Sequence, residues 1–136
     1  MTHENFHFFV GKLLMFCQCI EHDIKWIYAK MLKGDKGENY RLVENKTLGT
    51  IIGMLKILDY SDDDHWFSDS DYTLLKEISA IRNFWAHKAY IEYVYGGDNI
   101  DLLFDKVSRR LTNDFNRLEK LHETIEAVRL SHYQVT

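Results

Sequence analysis

The sequence predicts an all-α fold, an antiparallel bundle of four helices with room for a fifth. Its 136 residues contain no proline, so the strongest helix breaker is missing. Apolar residues recur at steps of three and four along several long stretches, which is the period of a helix with one buried face. A chain of this length is the usual size of one domain with its own core. We therefore expect a single domain over residues 1–136.

The first predicted helix carries a continuous apolar stripe over about seven turns. It is expected to end near Lys33 and Gly34, because helix C-termini favour a cation followed by glycine. Residues 34–46 lack a clean period and are predicted to be a connecting loop. The stripe consists of Phe6, Phe9, Leu13, Phe16, Cys17, Ile20, Ile24, Ile27 and Met31.

Two shorter helices are predicted next, separated by an acidic linker. The second runs from Thr47, a suitable N-cap, to Tyr60. The third begins with Ser70 as N-cap. Its buried stripe consists of Leu74, Leu75, Ile78, Ile81 and Trp85. The third helix therefore runs on through residue 85.

The last predicted helix covers residues 101–130 and packs along the first helix. Its apolar positions follow near-heptad spacing, except that Asp114 occupies one of them and Phe115 lies beside it. Before it, residues 88–104 contain a strong turn signal at Gly96 and Gly97. We favour a helix end and a turn here, and a small hairpin is the alternative.

The charge and the hydropathy pattern exclude several classes of protein. A formal net charge of −4 argues against broad adhesion to nucleic acid or to anionic membranes, so any polyanion needs a local basic site. No apolar run has the length of a membrane helix, and the N-terminal stretch lacks the features of a signal peptide. We expect a cytoplasmic protein in which Cys17 and Cys19 are reduced thiols.

No metal site or other cofactor is predicted. The acidic linker lacks the glycine and the glutamate that an EF-hand loop requires. Glu21, His22 and Asp23 are ligand types, but consecutive helical residues point about 100° apart. They are therefore interpreted as a polar helix edge.

The segment Arg82-Asn83-Phe84-Trp85-Ala86-His87 is the predicted functional site. An arginine guanidinium grips phosphate in bidentate fashion, and a histidine transfers protons near neutral pH. In RNA the 2′-hydroxyl itself attacks the phosphorus, so these two residue types suffice for cleavage without a metal. Asn83 is expected to orient the phosphate or the arginine. Arg82 and His87 lie about 140° apart on one helix, so we expect a homodimer to bring two copies of each together.

This segment resembles the HEPN domains, whose nuclease members carry an arginine, often a polar residue after it, and a histidine four to six residues beyond the arginine. The resemblance covers the whole chain, because HEPN domains are antiparallel helical bundles that usually dimerise around this motif, late in the third main helix. It implies that Arg82 and His87 are the catalytic pair, that Asn83 assists and that the product ends in a cyclic phosphate. It also implies a toxin or phage-defence effector with RNA as substrate.

A regulatory partner such as an antitoxin belongs to the same resemblance. In some HEPN toxins a tyrosine two residues after the histidine is modified by the antitoxin. Tyr90 here follows His87 by three residues, so this form of control is not carried over.

Plainer interpretations of the same residues remain open. Arg82 would serve only in an ion pair with Glu21 of the first helix, and His87 would only stabilise a helix dipole. The chain would then be a non-catalytic HEPN-like module that binds RNA, a nucleotide or a protein, or a structural bundle partner. Arg109 and Arg110 are expected to be solvated. Trp85, Tyr90, Tyr93 and Tyr95 are expected in the core or at a dimer contact rather than stacked on bases.

Overall fold

The computed structural model describes residues 1–132. All of its regular structure is helical, which confirms the all-α prediction. The six helices are α1 (His3–Met31), α2 (Lys36–Val43), α3 (Leu48–Asp59), α4 (Asp69–His87), α5 (Ala89–Tyr95) and α6 (Ile100–Ser131). Within the described residues, none of them combines the length and the apolarity needed to cross a bilayer.

Side-chain caps define where most of these helices begin. The predicted cap Thr47 is confirmed, because its side chain accepts from the Thr50 amide at the start of α3. The predicted cap Ser70 is wrong, since α4 begins after Ser68. The Ser68 hydroxyl accepts from the Asp71 amide and the Asp71 carboxylate accepts from the Ser68 amide. This reciprocal capping box is stronger than a single serine cap, which explains the earlier start.

The prediction that residues 34–46 form a loop is wrong, because α2 lies within them. This helix has only two turns, and Asn39 and Val43 are its buried residues, so it shows no apolar period. Val43 belongs to the hydrophobic core, and the Asn39 amide nitrogen donates to the carbonyl oxygens of Ala29 and Leu32, at 3.0 Å each. Asn39 thereby satisfies carbonyls at the end of α1 that have no partner within the helix.

Residues 88–104 are helical on both sides of the predicted turn. The turn is confirmed around Gly96 and Gly97, between α5 and α6. The short helix α5 was not predicted, because it follows α4 after Lys88 alone and has only seven residues.

Helices α1 and α6 pack along their length, as predicted, and they run parallel to each other. Near one end, the His3 ring stacks on Phe104 with 3.9 Å between ring centroids. Further along, the Phe16 ring lies 5.5 Å from Phe115 and 5.2 Å from His122. Residue numbers thus rise together in both helices. Helix α2 adds one reversal of chain direction between α1 and α6, and this is why the two helices run parallel.

A buried carboxylate joins α4 to α6. Asp114, 5% exposed, occupies a core position of α6, and its oxygen accepts from the Trp85 indole N–H at 2.9 Å. The guanidinium groups of Arg110 and Arg117 lie 3.7 and 3.8 Å from the same carboxylate. Since a buried carboxylate is costly without partners, these contacts account for the polar residue in the apolar stripe.

A second buried carboxylate, Asp59 at the end of α3, organises the linker to α4. Its oxygens accept from the amides of Trp66 and Phe67, at 2.7 and 3.1 Å, and from the Tyr72 hydroxyl at 2.6 Å. Burial and this hydrogen bond raise the pKa of Tyr72 above its ordinary range. Asp59 therefore ties the end of the acidic linker to the core, where Phe67 is also buried.

Replacing this carboxylate should weaken the whole bundle. Asp59→Ala leaves two backbone amides and the Tyr72 hydroxyl without their acceptor, and we expect a loss of about 2–4 kcal/mol in the free energy of unfolding. Urea denaturation followed by circular dichroism measures it. Asp63→Ala, at an exposed position of the same linker, is the matched control and should change little. Equal stabilities of the two variants would contradict the role given to Asp59.

Candidate functional site

The predicted motif occupies the last two turns of α4. Phe84 and Trp85 are buried, at 5% and 1% exposure, and they fix how the helix is rotated against its neighbours. Arg82 is half-buried on the side of α1, whereas Asn83 and His87 are exposed. Asn83 and His87 are four residues apart and share one face, whereas Arg82 points about 100° away from Asn83 around the helix axis.

Arg82 forms an ion pair with Glu21 of α1, through its Nη1 atom and the Glu21 Oε1 atom. The two side chains are 35% and 24% exposed. This is the partner that the plainer interpretation predicted, and its contact is confirmed. Only one guanidinium nitrogen is used, so other donors of the group stay open to a second acceptor.

A pocket lies beside this ion pair and is rich in cations. Lys25, Lys46 and Arg82 line it together with Glu21 and the first residues of α3, so three cations face one carboxylate. The Lys25 ammonium donates to the carbonyl of Glu44 at 2.8 Å, which holds it in place. A local positive region of this kind is what the acidic chain requires for any contact with a polyanion.

His87 does not share that pocket. It is absent from the lining, and its imidazole makes no hydrogen bond or ion pair with residues 1–132. His87 is five positions after Arg82 in the helix, which places it about 7.5 Å further along the axis and about 140° around it. One chain therefore does not bring the two predicted catalytic side chains into a single cleft, in agreement with the sequence analysis.

A further cation lies next to the motif on the side of α6. The Arg110 guanidinium carbon is 3.4 Å from the centroid of the Phe84 ring. Arg110 is exposed, as expected, but this cation–π contact and the carboxylate of Asp114 also hold it. Arg109 is exposed and pairs with Asp105 one turn earlier in α6.

The aromatic residues around the motif divide into core and surface. Trp85 and Tyr93 are buried and belong to the core, as expected. Tyr90 is half-buried and its hydroxyl lies 2.8 Å from the Nδ1 atom of His7. Sequence reasoning missed this contact, because the two residues are 83 positions apart and neither carries a local signal for the other.

Cys17 is buried beneath the Arg82–Glu21 pair, and Cys19 is partly exposed; both thiols are free. Burial raises the pKa of Cys17 from 9.0 to about 12, and the negative charge of Glu21 adds to the rise. The folded protein thus holds the Cys17 proton at pH values where the unfolded chain releases it. The stabilisation that comes from burying the neutral Cys17 thiol is complete below about pH 9 and is lost as the pH rises toward 12.

Comparison with known proteins assigns the chain to no family: no protein-family model matches it, and neither does any curated protein or solved structure.

The Arg82–Glu21 pair should contribute little to stability. The pair is partly exposed, so we expect a coupling energy of about 1 kcal/mol or less in a double-mutant cycle of Arg82→Gln and Glu21→Gln. Chemical denaturation of the four proteins measures it. The exposed pair of Arg109 and Asp105 is the control cycle and should give a value near zero. A coupling several times larger for Arg82 and Glu21 would identify the pair as a main structural link.

The two cysteines should differ in reactivity. In Cys19→Ser, the remaining Cys17 should react with a thiol reagent at pH 8 at least about 100-fold more slowly when folded than in urea, because it is buried and its thiolate is scarce. Cys17→Ser, which leaves Cys19, is the control and should react readily when folded. Equal rates for the two folded variants would contradict the raised pKa of Cys17.

Proposed function

We propose that this protein is a HEPN-type endoribonuclease that cleaves RNA without a metal ion, in a composite site formed by two subunits. One observation carries the proposal. The end of α4 presents Asn83 and an uncommitted His87 on one exposed face, while Arg82 lines a cationic pocket next to it. The residue types and their exposure suit phosphate binding and proton transfer.

The chemistry follows from RNA itself. The 2′-oxygen attacks the adjacent phosphorus, the bond from phosphorus to the 5′-oxygen breaks, and a cyclic phosphate and a free 5′-hydroxyl result. His87 accepts the proton of the 2′-hydroxyl or donates one to the leaving oxygen. Arg82 stabilises the charge that develops on the phosphoryl oxygens. Asn83 hydrogen-bonds the phosphate and orients it.

A homodimer is part of this proposal, because Arg82 and His87 diverge on one helix. Helix α5 follows the motif directly and exposes Ile91, Val94 and Tyr95, at 59%, 41% and 81%. These three residues have the spacing of one helical face. Exposed apolar surface beside a polar site is typical of protein interfaces, and it supports a subunit contact next to the motif.

The contact with Glu21 is compatible with this role for Arg82. A guanidinium carries five N–H donors in a planar fork, so one edge holds Glu21 while the other faces phosphate. We extend the proposal to a cytoplasmic toxin or phage-defence effector that an antitoxin or another regulatory protein restrains.

A non-catalytic module is the second candidate, and the Arg82–Glu21 ion pair favours it. If Arg82 serves only to join α4 to α1, the exposed face of Asn83 and His87 is a binding surface without catalysis. The two candidates differ in RNA cleavage: the catalytic one requires cleavage that depends on Arg82 and His87 and not on Glu21, whereas the binding module cleaves no RNA.

RNA cleavage should depend on the motif and not on the ion pair. In EDTA, Arg82→Ala and His87→Ala should each lower the cleavage rate by about 100-fold or more. Glu21→Gln should leave a rate near that of the unsubstituted protein, since Arg82 remains. Gel analysis of labelled RNA, with the cyclic phosphate identified by mass spectrometry, measures the result. His65→Ala, in the exposed linker, is the matched control for removing an imidazole.

Two outcomes would overturn the catalytic proposal. Cleavage that survives both motif substitutions, or that EDTA abolishes in the folded protein, would remove Arg82 and His87 from the reaction. For the composite site, the rate per chain should fall on dilution below the dissociation constant of the dimer, as sedimentation determines it. A constant rate per chain in a demonstrated monomer would contradict the shared site.

A further inference from the structure

Three side chains with metal-binding atoms converge on the other side of α1. They are Asp23 of α1 and His122 and Glu126 of α6, and one ligand atom from each lies within 4.8 Å of the other two. All three residues are half-buried. No local sequence pattern predicts this cluster, because Asp23 lies on a different helix from the other two residues.

The parallel packing of α1 and α6 produces the convergence. His122 and Glu126 are four residues apart, so they lie one above the other on the same face of α6. That face lies against α1, where the His122 ring packs 5.2 Å from the ring of Phe16. Asp23 is seven residues after Phe16, two turns further along the same face of α1. It therefore faces α6 at the level of Glu126.

Neighbouring groups hold the two carboxylates in position. The Arg129 guanidinium donates to both oxygens of Glu126, at 2.7 and 3.3 Å. The Nδ1 atom of His22 lies 3.3 Å from the Asp23 carboxylate. A carboxylate has about four lone-pair positions, so each one is able to bind an ion and keep its present partner. Outer contacts of this kind orient the ligands in protein metal sites.

The separations suit a metal ion. Zinc bonds to imidazole nitrogen and to carboxylate oxygen are about 2.0–2.2 Å long. Three atoms that are 4.8 Å apart lie about 2.8 Å from their common centre, so side-chain movements of roughly 0.6–0.8 Å bring all three to bonding distance of one ion.

We propose that Asp23, His122 and Glu126 form a binding site for a divalent transition-metal ion, with Zn²⁺ as the representative, that fastens α1 to α6. The imidazole ligand favours Zn²⁺ and its first-row neighbours over Mg²⁺ and Ca²⁺, which prefer oxygen ligands alone. Water completes the coordination. The site is separate from the motif of α4, and its role is to stabilise the bundle, since an ion that binds only the folded state shifts unfolding by mass action.

Titration calorimetry and thermal unfolding of the protein with added Zn²⁺ test this site. We expect one equivalent of Zn²⁺ to bind the EDTA-treated and dialysed protein and to raise its melting temperature by about 5 °C or more at 100-fold excess over the dissociation constant. Asp23→Asn, His122→Ala and Glu126→Gln should each weaken binding by at least about 10-fold. Glu123→Gln, at the exposed position next to His122, is the matched control and should bind as the unsubstituted protein does.

Nuclear magnetic resonance identifies the ligand directly, because the imidazole signals of His122 should shift at one equivalent of Zn²⁺. Asp23→Asn and Glu126→Gln keep the shape of each side chain, so they test the site even if His122→Ala fails to fold. Absence of binding would overturn the proposal. So would equal affinity in the three variants and the Glu123→Gln control, which would place the ion at other residues.

Discussion

The hydrogen bond from the Trp85 indole to the buried Asp114 carboxylate sets the geometry on which the candidate site depends. An indole N–H and a carboxylate that are both buried must find partners, because each costs free energy when left unpaired. Their contact fixes how α4 is rotated against α6. With Trp85 turned inward, Arg82 is directed to α1 and His87 to solvent. The position of Trp85 in the sequence therefore determines which way the other residues of the motif point.

The same carboxylate links the core to the charged surface. Arg110 approaches Asp114 and lies over the Phe84 ring, and Arg117 also contacts Glu77 of α4. The cations on this side of α4 are therefore held by packing as well as by charge. The arginines beside the α4 motif are thereby ordered, although the chain as a whole is acidic.

Periodicity predicted the long helices because each one buries a continuous stripe, as residues 6–31 of α1 show. It failed for α2, because this two-turn helix buries only Asn39 and Val43 and so shows no apolar period. The helix caps were also predicted only in part. Thr47 was identified from its residue type, whereas identifying Ser68 requires its reciprocal hydrogen bonds with Asp71 to be recognised. Local pattern therefore predicts elements that are stabilised by burial, and it misses those stabilised by single polar contacts.

The motif of α4 was found from residue type and spacing, and so was the possible pairing of Arg82 with Glu21. The structure added the cationic pocket of Lys25 and Lys46, which depends on three separate helices and loops meeting beside Arg82. The convergence of Asp23 with His122 is of the same kind. Contacts between distant parts of the chain carry no sequence period, and only the packing of the helices reveals them.

The parallel direction of α1 and α6 has a consequence for how the protein is made. The apolar stripe of α1 finds its main partner in α6, roughly 100 residues later in the chain, so closing this contact costs loop entropy that local helix pairs do not pay. During synthesis, Phe9 and Phe16 leave the ribosome long before Phe115 exists. The side of α1 that faces α6 therefore stays uncovered until α6 emerges, and that interval is when aggregation or chaperone binding competes with folding.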